Sequence, residues 1–117
     1  MSIREEIAEA ATTVYGVTCT PYYEQTTNPG HAFVRLERIN YENAFGRVYA
    51  HPSWNVVVVL SQNMAIAERF IEDVVPALVD ALKDVLIVTS AVPQRTQFPD
   101  GTTVPCVFIN GHREADD

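Results

Sequence analysis

Residues 54–62 read WNVVVVLSQ and run directly into residues 63–84, NMAIAERFIEDVVPALVDALKD. Four consecutive valines do not alternate with polar residues, so both faces of the strand they form meet apolar neighbours. Such a strand belongs inside a sheet. Asn63 is placed to cap a helix in which Met64, Ala67, Ile71, Val74, Leu78 and Leu82 recur at three- and four-residue spacing, giving one apolar stripe to pack on that sheet. Pro76 removes a backbone donor and crowds the preceding turn, so a kink or break is expected near residues 73–75. Strand and helix together read as scaffold, and function is to be sought on loops and surfaces.

Upstream, Ser2 followed three residues later by Glu5 forms a capping box for a helix whose Ile3, Ile7, Ala10 and Val14 share a stripe, and Gly16 is its natural stop. A strand is expected over residues 17–23, then a turn at Asn28-Pro29-Gly30, with a hairpin-like pairing to the next strand. There Ala32, Val34 and Leu36 alternate with Phe33, Arg35 and Glu37, the period of two of a sheet with one apolar face. Residues 40–53, NYENAFGRVYAHPS, mix Gly46, Pro52 and polar residues with aromatics and read as a loop or irregular edge hairpin. Their aromatics either roof the core or form a patch recognised by another chain.

Downstream, residues 85–92 form a strand that leads to the turn Pro99-Asp100-Gly101, and residues 103–110 close the sheet. Pro105 points to an edge position or a bulge. The final residues, GHREADD, are charged and expected to fray, from 113 onward in particular. The whole, 1–117, reads as one α+β domain: a mixed or mainly antiparallel sheet of four to five strands with an N-terminal helix and a long Pro-kinked helix packed on it.

Fifteen acidic against eight basic residues leave a formal charge of -7. A surface of that sign repels phosphate backbones and anionic lipid, which disfavours adhesive or sequence-specific nucleic-acid binding; its simplest use is solubility. No stretch of some 18 apolar residues suggests a membrane span or secretory leader, so a cytosolic site of synthesis is expected. Cys19 and Cys106 are 87 positions apart and match no zinc or CxxC spacing; both read as reduced, buried, small hydrophobes.

Catalysis needs convergent groups with tuned pKa values, and the candidates are few. His31, His51 and His112 lack the i, i+4 helical spacing of a metal pair, so no metal or cofactor is expected. Cys106 with His31 or His112 could in principle form a nucleophile and base, and a pocket near Cys106, His31 or Tyr22 is the rival reading as a small thiol enzyme or ligand module. Glu68, Glu72, Asp73, Asp80 and Asp84 read as the solvated face of the long helix. No GxxxxGK[ST], GxGxxG or GxSxG pattern occurs, and Arg35, Arg38 and Arg47 stand beside Glu37 and Glu42 with no basic stripe.

Taken in order, REEIAEAATTVYGVTCTPYYEQTTNPGHAFVRLERI, WNVVVVL, the helix ending PALVDAL, VTSAVPQ and VPCVFINGHRE resemble the small tail terminator, or head-tail joining, proteins of long-tailed bacteriophages, especially those of actinobacterial hosts. The resemblance spans nearly the whole chain and rests on element order and size. It implies a virion protein, assembled in the host cytoplasm, that acts as a non-enzymatic subunit. Such subunits form a ring, commonly of six copies, on the last ring of the tail tube and present the opposite face to the head connector or stopper. DNA passes through such a ring, and carboxylates lining its lumen would let DNA slide. Another neck component, such as the stopper beneath the portal, fits the same length and charge.

A closed ring needs two different patches on each subunit. Two segments are long enough to project from the sheet. The first, residues 41–54, offers Tyr41, Phe45, Tyr49 and Trp54; the second, residues 94–104, offers Gln94, Arg95, Phe98 and Asp100. These are the candidate protein-interface residues.

Overall fold

A computed structural model describes residues 2–113. The polyvaline strand, β3 (Arg47–Val59), is the middle strand of a five-stranded sheet in the order β1-β2-β3-β5-β4. Its neighbours are β2 (His31–Ala44) and β5 (Thr103–His112), both antiparallel to it; the edges are β1 (Thr18–Thr20) and β4 (Ile87–Gln97). The run Trp54–Leu60 is buried throughout, as its lack of alternation requires. Strand β5 inserts between β3 and β4, so the strands before and after the long helix are not neighbours.

Helix α1 (Ile3–Thr12) starts at the expected capping box, with Ser2 Oγ accepting from the Glu5 amide at 3.2 Å. Asn63 caps α2 (Met64–Asp73) by accepting from the amides of Ala65 and Ile66. The helix breaks at Val74 and resumes as α3 (Val75–Leu82), with Pro76 in the first turn of the new segment, where a missing N–H leaves no bond unmade. The main core lies between the helices and one sheet face: Ile7, Ala11, Val34, Val56, Val58, Leu78, Leu82 and Ile109 are all fully buried there.

The other sheet face has a smaller core of Phe33, Val57, Val59, Phe98, Val104, Cys106 and Phe108. Tyr23 and Phe98 close over Phe33, with ring centroids 5.1 Å (Tyr23) and 6.5 Å (Phe98) from it. Beyond it, Asn55, 1% exposed, accepts from Arg35 Nε at 3.0 Å and Nη2 at 2.7 Å and donates to Glu37 and Asn110. Every hydrogen-bonding arm of this buried amide is therefore engaged.

Four local expectations are corrected. Strand β1 covers only three residues and pairs parallel to β2, Thr18 against His31, instead of forming a hairpin. Pro21 follows it at once, and the chain returns along the sheet edge to Gly30, whose amide donates to Val59 O and whose carbonyl accepts from the Thr18 amide. Gly30 has φ +88°, and a Cβ there would collide with the Gly16 carbonyl, so this close approach is open to glycine alone.

Of the two readings of residues 40–53, loop or irregular edge hairpin, the structure has a hairpin, but a regular one built from two long strands. These residues continue β2 and β3 in unbroken register from Arg38/Ser53 to Ala44/Arg47, after one bulge between Leu36 and Arg38. Phe45 and Gly46 form the two-residue turn, with φ of 52° and 73°, the doubly positive pattern of a type I′ hairpin.

Pro105 lies in interior strand β5, not at an edge. Its carbonyl accepts from Leu60 N at 2.8 Å, on the side where β3 has just ended, so the missing donor falls beyond the ladder. Strand β5 also runs on through Gly111 and His112, and Arg113 holds Glu6 at 3.0 Å. The expected fraying of 114–117 lies outside the described residues.

Candidate functional site

Strand β5 stops pairing with β3 at Ser53/His112, so beyond that point β2 and β3 have only each other. Six cross-strand pairs, from Ile39/Pro52 to Ala44/Arg47, form a two-stranded arm that leaves the body. At roughly 3.4 Å per residue it is about 20 Å long.

Alternation gives the arm two unlike faces. Continuing outward from Trp54 and Val56 on the helix side, Pro52, Ala50 and Val48 lie on one face, opposite Ile39, Tyr41 and Asn43. Ile39, Tyr41 and Val48 are exposed there, and Phe45 stands at the tip with 98% of its surface in solvent. The other face carries Arg38, Asn40, Glu42, Tyr49, His51 and Arg47, with His51 Nε2 3.2 Å from Glu42 Oε2. An isolated two-stranded ribbon is marginal in water, and this one carries exposed apolar side chains on one face.

The expected interface residues divide. Tyr41, Phe45 and Tyr49 project from the arm, and Gln94 and Arg95 are exposed on edge strand β4. Trp54 is only 7% exposed, with the Arg4 guanidinium 5.2 Å from its ring, and Phe98 is 3% exposed in the second core. Both leave the candidate surface, because their large rings complete the cores of this chain.

Asp100 is exposed but tied inward, accepting from Thr102 N at 2.8 Å and from the Gln25 amide. The Thr102 backbone N–H is the main reason its carboxyl lies below the ordinary range. Ile39, Val48, Ala50 and Pro52 were missed in the sequence, although their period-two spacing is visible once Phe45-Gly46 is recognised as a turn.

Cys106 Sγ donates to the Val104 carbonyl at 3.8 Å, and no hydrogen bond among the described residues joins it to His31 or His112. Among the described residues no cluster of His, Cys, Asp and Glu is placed to hold a metal ion. Burial pushes the Cys19 thiol up to about 12 and raises that of Cys106 too, the direction opposite to that of a nucleophilic cysteine. A cavity of about 510 Å³ lies along α1 beside Glu5, Glu9, Thr12 and Cys19, and its Glu5 is already engaged in the capping box. Tyr22 lies under the Arg4 guanidinium at 4.9 Å, a packing contact. No helix among the described residues is long and apolar enough to cross a membrane.

No protein-family model matches the chain, and no curated protein matches it either.

Proposed function

We propose that this chain is a structural subunit of a long-tailed bacteriophage virion: a tail terminator that forms a ring, commonly of six copies, on the last ring of the tail tube and joins it to the head connector. The observation that carries this reading is the arm of residues 39–52, which leaves the body with an apolar face and an exposed phenylalanine at its tip. A subunit that worked alone would gain nothing from such a surface, whereas a ring subunit needs a projecting patch that meets an unlike patch on its neighbour. The resemblance of the sequence in element order to tail terminators, over nearly the whole chain, supports the reading of that ring as a tail terminator.

Sedimentation velocity of the purified protein tests the assembly itself. A ring subunit sediments as a species of several 13.0 kDa chains, and a monomer at every concentration counts against the proposal. The charge of -7 has a use in this setting, since carboxylates facing the lumen repel DNA and let it slide. Imaging of the ring decides this point: acidic side chains around the hole support it, and a neutral or basic lumen removes it.

A further inference from the structure

We propose that the arm of each copy docks in the groove between α2 and β4 of the next copy; this deepens the reading of the chain as a ring subunit and rests on it. The groove, about 310 Å³, is formed by Leu60, Met64, Ala67 and Ile71 on one side and Pro93 and Pro105 on the other. It exists because the helical layer stops short of the sheet edge. On the helix side of the sheet, β4 presents Ala91, Pro93 and Arg95 in register with Ile109, Val107 and Pro105 of β5, and all three are exposed. Met64 stands 65% exposed at its margin. The body thus lacks one covering element, and the arm is an element without a body to cover.

Geometry makes the occupant a second copy. Strand β3 runs from Arg47 at the arm tip to Val59 beside Leu60 in the groove, about 40 Å at ~3.3 Å per residue, in a molecule 52 Å long. Knob and groove therefore lie at opposite ends of the long axis, and the arm cannot reach its own groove. The two patches are unlike, so the contact is heterologous and propagates head to tail until it closes.

Charge points the same way. Arg38 and Arg47 against Glu42 give the arm a net +1, with His51 neutral, while Glu68, Glu72, Asp73 and Asp80 against Arg69 give α2–α3 a net -3. The arm is a positive element on an acidic chain, and the groove, whose lining holds one carboxylate, Glu68, and one guanidinium, Arg95, is flanked by the acidic α2. Opposite potentials favour this pairing over arm against arm, where arginines would meet. The apolar arm face against the groove supplies the contact, and the charges set its direction.

The test uses two exposed positions, so that the fold is spared: Phe45→Asp in the arm and Met64→Asp in the groove, with thermal melting to show that each variant is folded. In sedimentation velocity the wild type forms the multi-chain species, and each variant alone associates at least tenfold more weakly. A one-to-one mixture of the two variants forms a two-chain species and stops there, because only one intact arm and one intact groove remain between them. Oligomers that survive both substitutions overturn the docking and leave the ring reading standing on another interface. A mixture that stays monomeric overturns the docking as well. A wild type that remains monomeric with and without isolated tail tubes overturns both.

Discussion

Ala44 faces Arg47 across a turn in which Phe45 and Gly46 both take positive φ, 52° and 73°. Glycine adopts that conformation freely, but phenylalanine does so at a cost of about 1–3 kcal/mol. An aromatic residue is held at the extreme tip of the arm, where local preference would place asparagine.

Phe45→Asn therefore separates the two roles of this position. Asn-Gly is the preferred type I′ pair, so the variant keeps or improves hydrogen-exchange protection of the arm amides. It lacks the ring, so it weakens self-association. Gly46→Val does the reverse to the hairpin: a β-branched residue at φ 73° disrupts the turn, and arm amides exchange faster while core amides of β3 and β5 do not. Equal association by wild type and Phe45→Asn would show that the tip is not a contact.

Much of the architecture was legible in the chain, and the reason is local. The valine run, the Asn63 cap and Pro76 each act within a few residues, so the central strand, the helix start and the break at Val74 follow from them directly. Ser2 and Glu5 likewise announce α1. What was not legible depends on partners far away in sequence. The parallel pairing of β1 is decided by the approach of Gly30 to Gly16 and Val59, and the place of Pro105 by where β3 ends. The arm was hidden for a different reason: its polar residues and Pro52 resemble a loop until the turn at Phe45-Gly46 sets the register. Of the candidate surface residues, the aromatics were misjudged where ring size suits a core as well as a contact, as for Trp54 and Phe98.

Asn55 is the buried polar centre of the outer sheet face, and removing it strands its partners. Asn55→Ala is expected to lower the unfolding free energy by about 1–3 kcal/mol, because Asn110 loses a donor and Arg35 its acceptor. Arg35→Ala should cost less, about 1 kcal/mol, since it takes the two donors from Asn55 Oδ1 and the guanidinium from the Phe108 ring 5.3 Å away but leaves Asn55 Nδ2 bonded to Glu37 and Asn110. Urea titrations of both variants check the order. Equal costs would mean that the buried amide does not organise this network.

The thiols provide a pH prediction. A thiol is charged only when deprotonated, so burial that raises its pKa makes the folded state hold the proton more tightly than the unfolded chain. For Cys19 the stability from this source is complete below 9.0 and is lost as pH rises from there toward 12. Both cysteines should resist iodoacetamide at pH 8 in the folded protein and react promptly in denaturant. Fast native labelling of Cys106 would revive the thiol-enzyme alternative.

Electron microscopy of the purified protein mixed with isolated tail tubes tests the tail-terminator role most directly. A tail terminator forms a ring seated on one end of each tube, and tubes no longer grow from that end. Particles that stay monomeric, or tube ends that remain bare and keep extending, would contradict it.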